Sequence, residues 1–146
     1  MRRLRLGTKG NSAAEFAMVI GPLCVLLFGT IEFGRLLWTR DVVQQVAVEG
    51  ARCMGILAPG CATAGPVYSA AKARTWIAGR AQGFNIPLAE SGVALNRSAT
   101  CASAAGKSNS SEVTVTFTFA SPFGALVEAL ASDKLLTVTG CFTNAK

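Results

Sequence analysis

Residues 16–31 read FAMVIGPLCVLLFGTI, sixteen positions without a charged side chain. As a helix this run spans about 24 Å, slightly short of the ~30 Å hydrocarbon core of a bilayer. The apolar character continues past Glu32 and Arg35 through Phe33, Leu36, Leu37 and Trp38. A Trp suits the membrane–water boundary and an Arg can extend its head to water, so the predicted membrane segment is about 16–38. Tilt or local thinning absorbs the remaining mismatch. Arg2, Arg3, Arg5 and Lys9 precede the run, with no acidic residue among the first ten positions. That charge asymmetry keeps the N-terminal end cytoplasmic and sends the rest of the chain outside.

The composition fits one domain partly held in lipid. The chain has 146 residues, 51% of them apolar and only 15% charged. The formal charge of +6 invites a nucleic-acid reading until the charges are located. Four of the fourteen Lys and Arg fall in the first ten residues, and the remainder nearly balances the eight acids. A polyanion site needs clustered cations on the folded part, so no nucleic-acid partner is expected. With no His in the chain, a Ser-His-Asp or Cys-His unit cannot be built. Neither a Walker-type phosphate loop nor a G-x-S-x-G elbow occurs, and no spacing nominates a carboxylate pair. The chain is expected not to be an enzyme, with no catalytic residue and no cofactor. A structural metal is disfavoured by the lack of His and of C-x-x-C pairs.

Three readings compete for the N-terminal segment. A secretory signal peptide shares the basic start and apolar middle, but Glu15 sits at the border of the run and no clear A-x-A site follows. A plain membrane anchor is the second reading. The third is a prepilin-type leader, cut before the hydrophobic helix. Residues 10–16, Gly-Asn-Ser-Ala-Ala-Glu-Phe, resemble the leaders of tight-adherence (Flp, type IVc) pilus systems. The resemblance extends through Ile31-Glu32-Phe33-Gly34-Arg35 and Glu49-Gly50-Ala51-Arg52, both similar to TadE-like proteins. In the C-terminal third, Val113-Thr114-Val115-Thr116-Phe117 and Pro122-Phe123 add to it, while the middle is only loosely alike. It implies a prepilin peptidase cut between Gly10 and Asn11, placing Glu15 fifth and Phe16 sixth in the mature chain.

The placement of Glu15 also has a physical side. A carboxylate bordering a lipid-embedded helix is costly unless paired, and near a helix N-terminus it gains from free N–H groups and the macrodipole. Cleavage after Gly10 would create an amine at Asn11, one turn away, able to pair with Glu15 within or between subunits. The plainer alternative is a headgroup marker. Glu32 and Arg35, three apart, are expected to form a solvated interface pair. Pro22 is expected to kink the helix or open it locally.

Beyond Trp38 the apolar and small positions Val42, Val43, Val46, Ala47, Gly50 and Ala51 keep helical spacing. One helix is therefore predicted from about Ala13 to about Leu57, stopped by Pro59-Gly60. Ala47 and Ala51 would admit close approach of another helix. A second helix is predicted over 67–82, opened by Pro66 and closed by Gly83, burying Ala70, Ala73, Trp76 and Ile77 and leaving Lys72, Arg74 and Arg80 solvated. A strand follows over 93–101, then a polar loop over 102–111. Val/Phe alternating with Thr over 113–119 marks a half-buried strand. A short amphipathic helix is predicted over 123–131 and a last strand over 135–142, antiparallel to its predecessor. The predicted fold is α+β: a long transmembrane N-terminal helix continuing into a second helix and a roughly three-stranded antiparallel sheet with a short inserted helix. The predicted divisions are a leader over 1–10, the N-terminal helix over 11–57 and an extracytoplasmic domain over 58–146.

Cys53, Cys61, Cys101 and Cys141 lie in the part expected outside, an even number that reads as disulfides. Four cysteines allow three connectivities. Cys53–Cys61 across the Pro59-Gly60 turn and Cys101–Cys141 between the first and last strands are the pairs expected here. Cys24 is expected to be a free, small hydrophobe within the apolar run.

The resemblance implies a TadE-like pseudopilin or minor pilin, a structural protein in assembly of an adhesive pilus. Implied partners are the prepilin peptidase, other pilin or pseudopilin subunits, the inner-membrane assembly platform and membrane lipid. The chain is too long for the major tight-adherence pilin and too short for TadG-like relatives. The alternative is a single-pass membrane-anchored extracytoplasmic binding module without a filament role, using its Thr-rich sheet face or the small-residue loop at 104–110.

Overall fold

The computed structural model describes residues 11–65, 67–101, 109–121 and 135–145, with side chains from residue 13 onward. The expected leader (1–10), Pro66, most of the expected polar loop and the expected short helix over 123–131 lie outside the described residues. Among the described residues the architecture is α+β: two α-helices and one antiparallel sheet of three strands.

Helix α1 runs from Asn11 to Gly55, 45 residues. At 1.5 Å per residue it is about 68 Å long. Pro22 lies inside it, and the helix continues through that position. Proline removes one donor, leaving the Met18 carbonyl without its usual i+4 partner. The helix stops before Pro59, at a reversal built by Leu57 with φ 53°. The amides of Leu57 and Ala58 return to the carbonyls of Met54 and Cys53 at 3.4 and 3.0 Å. This is a Schellman closure with leucine in the left-handed position usually held by glycine.

Helix α2, Ala70–Gly83, begins three residues later than predicted. Ser69 sets its start by accepting from the Lys72 amide, while Tyr68 is held extended in a bridge to Ala62. Its end is also displaced. Gly83 is still helical, and Asn85, at φ 60°, makes the turn, with the Ile86 and Asn85 amides returning to Ala81 and Gln82.

Strands β1 (Val93–Ala99), β2 (Ser110–Thr118) and β3 (Leu135–Thr143) form a meander with β2 central. The β2–β3 register is continuous from Ser110↔Thr143 to Thr118↔Leu135, whereas β1 carries an irregularity between Asn96 and Ala99. Strand alternation sends Val113 and Val115 of β2, with Val93 and Val138, to the inner face. The threonines at 114, 116, 118, 137 and 139 line the other. The inner face packs on the C-terminal half of α1, where Val42, Val43, Val46, Ala47, Ala51 and Met54 are buried. Ala73, Ile77 and Ala81 of α2 complete the core.

The small residues of α1 serve a different neighbour from the one predicted. A Cβ on Gly140 would run into the backbone of Ala47 and Val48, so it is strand β3 that crosses α1 there. One turn on, Gly50 lies so close to Ile77 of α2 that an added Cβ would sit 2.7 Å from its Cδ1. Both close approaches are internal to the domain. The α2 cations Lys72, Arg74 and Arg80 are exposed, as predicted, and each also reaches an acceptor. Lys72 donates to the Ala62 carbonyl, Arg74 to the Val93 carbonyl, and Arg80 to Glu49 at 2.7 and 2.9 Å. Their stems cross the domain surface, which brings the charged heads within reach of backbone and α1 acceptors.

Candidate membrane and assembly site

Helix α1 changes character at Glu32. Before it, long apolar side chains are largely exposed among the described residues: Phe16, Met18, Leu26 and Ile31 are 66, 79, 66 and 58% exposed. This stretch makes α1 long and apolar enough to cross a membrane. A bare hydrophobic cylinder of this size does not persist in water, so the surface is consistent with membrane anchoring. Cys24 lies half-exposed on this cylinder as a free thiol.

Asn11 is the first residue of α1, and Glu15 follows one turn later, with Phe16 beside it on an exposed part of the helix. Ala13 and Ala14 are strong helix formers and favour the helical conformation here. Gly10, the predicted cleavage residue, lies outside the described residues.

Glu32 opens the covered half and departs from the expected solvated pair. It is only 5% exposed. One carboxylate oxygen receives Nη1 of Arg35 at 2.9 Å, and the other receives the hydroxyl of Ser121 at 2.9 Å. The Arg35 guanidinium also lies 5.8 Å from the centre of the Phe119 ring. The segment leaving β2 is thus fastened to α1 at the first buried position of the helix. Sequence spacing revealed the Glu32–Arg35 pair, but Ser121 is eighty-nine residues away in the chain and carries no local signal.

Beside this clasp is a groove between α1 and the turn after α2, walled by Arg35, Trp38, Phe84, Pro87, Phe117 and Phe119. Trp38 is 54% exposed at its rim.

The far end of the domain is closed covalently and by polar contacts. Disulfides join Cys53 to Cys61 and Cys101 to Cys141. The first ties the end of α1 to the loop before α2. The second bridges the end of β1 to β3 across the start of β2. Asn144 donates through Nδ2 to the Arg97 carbonyl and the Asn109 side chain, each at 2.9 Å. The Ala145 amide caps the Gly55 carbonyl at the end of α1. Tyr68 donates to the Met54 sulfur and lies under Arg97, 5.1 Å from the guanidinium. Burial raises its phenol pKa above the ordinary value, and Arg74 and Arg97 oppose that shift.

The family model described as TadE-like protein matches residues 10–52. The match begins at the predicted cleavage glycine and ends one residue before Cys53, so it covers α1 and little else. This is consistent with a TadE-like protein of Tad pilus systems. No curated protein and no solved structure matches the chain.

Proposed function

We propose that this chain, TadE-like through its first helix, is a pseudopilin or minor pilin acting in assembly of a Tad/Flp adhesive pilus. The observation that carries the reading is the conjunction of the family match over 10–52 with a helix whose first half exposes long apolar side chains among the described residues. A prepilin peptidase cuts between Gly10 and Asn11, leaving α1 at the N-terminus of the mature subunit. The subunit is then held in the inner membrane with its N-terminal end cytoplasmic and its domain outside. Two disulfides fit an oxidising compartment.

In this reading the chain is not an enzyme and needs no cofactor. Its work is recognition. The bare surface over 16–31 exchanges lipid for the helices of neighbouring pilin or pseudopilin subunits, where packing and the avoidance of unpaired polar groups decide the register. Glu15 is the group that sets the register. In hydrocarbon its carboxylate is tolerated only when satisfied, and the new amine at Asn11 of its own or an adjacent subunit is of opposite charge. Phe16 beside it completes the feature read by the peptidase and the assembly platform.

The test is intact mass and N-terminal sequencing after co-expression with the cognate peptidase. The expected product begins at Asn11, and Gly10→Ala stays uncut. Glu15→Ala is expected to insert normally but to lower pilus yield. A chain retaining Met1 alongside active peptidase overturns the reading.

A further inference from the structure

We propose that the groove at the base of the domain is a seat for phospholipid headgroups, so that the domain rests directly on the bilayer. The inference rests on the membrane-anchoring reading and goes beyond it, since an anchored domain can equally stand clear of the surface on a linker.

The height of the groove follows from the helix. The uncharged run ends at Ile31, which marks the edge of the hydrocarbon. Arg35 lies four residues on, about 6 Å, within the headgroup layer of roughly 5–7 Å. Trp38 lies about 10 Å on, a few ångströms past that layer on an upright helix and nearer to it on a tilted one. The domain cannot stand clear, because Glu32, one residue past Ile31, is already buried under Ser121. No linker separates the two, and Phe84 and Pro87 line the same groove as Arg35 and Trp38.

The chemistry of the walls suits this occupant. The Glu32 carboxylate is inside, while the Arg35 side chain is half exposed and has N–H donors beyond the one given to Glu32. A guanidinium binds phosphate well, and the aromatic walls formed by Trp38, Phe84, Phe117 and Phe119 suit the boundary between headgroup and acyl chain. The Arg35–Glu32 pair is neutral overall, so the seat takes the phosphate of a zwitterionic lipid without requiring an anionic one.

The two native tryptophans supply a test. Trp76 adjoins Ile77, which packs on Gly50, nineteen residues and about 28 Å along α1 from Ile31. The full chain is placed in phosphatidylcholine nanodiscs, with and without phosphatidylcholine bearing a headgroup nitroxide. Three single-tryptophan chains are compared: Trp76→Phe, Trp38→Phe, and Phe84→Trp in the double phenylalanine background. The nitroxide is expected to lower emission about twofold in the first and third and to leave the second unchanged, as contact with the headgroup layer requires. Pro87→Trp in the same background serves as a second reporter of the outer wall, with disulfide mapping to verify folding. A chain that enters nanodiscs with Phe84→Trp and Pro87→Trp both unquenched overturns the seat and leaves the anchor standing. A chain that does not co-elute with nanodiscs overturns both.

Discussion

The two halves of α1 are one helix with two different environments. Below Glu32 many described side chains are large, apolar and exposed; above it the buried positions are mostly valine, alanine and glycine. The size difference follows from what each half touches. Lipid accommodates any shape, so Leu, Ile and Phe are favoured for area alone. The upper half must admit a β-strand at Gly140 and a second helix at Ile77, and close approach of solid elements needs small residues.

The sharpest way to break this comparison is to place the same charge in each half. Val43→Asp puts a carboxylate at a fully buried core position and should cost on the order of 4 kcal/mol or more, unfolding the domain in a urea titration. Leu26→Asp should leave domain stability unchanged and instead penalise insertion by about 2.5–3.5 kcal/mol, read by membrane fractionation. Equal effects of both on the domain would mean that the halves are not independent. A smaller test is Gly140→Ala. One methyl against the backbone of α1 should cost about 3 kcal/mol, at the upper end of overpacking penalties. Next is the boundary itself. Ser121→Ala removes one partner of a buried carboxylate and should cost about 1–2 kcal/mol, with greater mobility of a spin label placed near Phe119.

The smallest effect lies farthest from lipid, at Tyr68. Its folded pKa is raised, so folding favours the protonated phenol. That contribution is intact below the ordinary tyrosine pKa of about 10 and is lost as pH rises past it. Urea midpoints of the native chain and Tyr68→Phe should therefore converge or cross above about pH 10. A constant gap would show that the buried phenol does not control alkaline stability.

Much of this organisation was legible in the sequence, where a periodic signal reported a local preference. The run over 16–31, the small-residue spacing beyond it and the Val/Thr alternation of β2 each produced the predicted element. Boundaries were less legible. Sequence reading ended α1 at Pro59-Gly60 and α2 at Gly83, because those residues are the ordinary terminators. The chain instead turned at Leu57, which has no left-handed preference to signal it, and at Asn85, a residue that takes this conformation readily. The base of the domain was only partly legible, through the Glu32–Arg35 spacing. Glu32, Ser121, Phe84 and Trp38 come from three distant stretches, and only the fold brings them together.

The continuity of α1 has a directional consequence. On an unbroken helix, five turns bring residues eighteen apart onto one azimuth. Val43, Val46 and Ala47, which face the sheet, therefore stand above Val25, Phe28 and Gly29. The domain overhangs that side of the membrane helix like an eave. Phe16, Leu23, Leu27 and Gly34 fall on the opposite side, in the open. A neighbouring helix entering from the open flank meets no overhang, whereas one entering beneath the eave must first negotiate the domain. The chain thus has a front and a back, fixed by the strand that crosses Ala47.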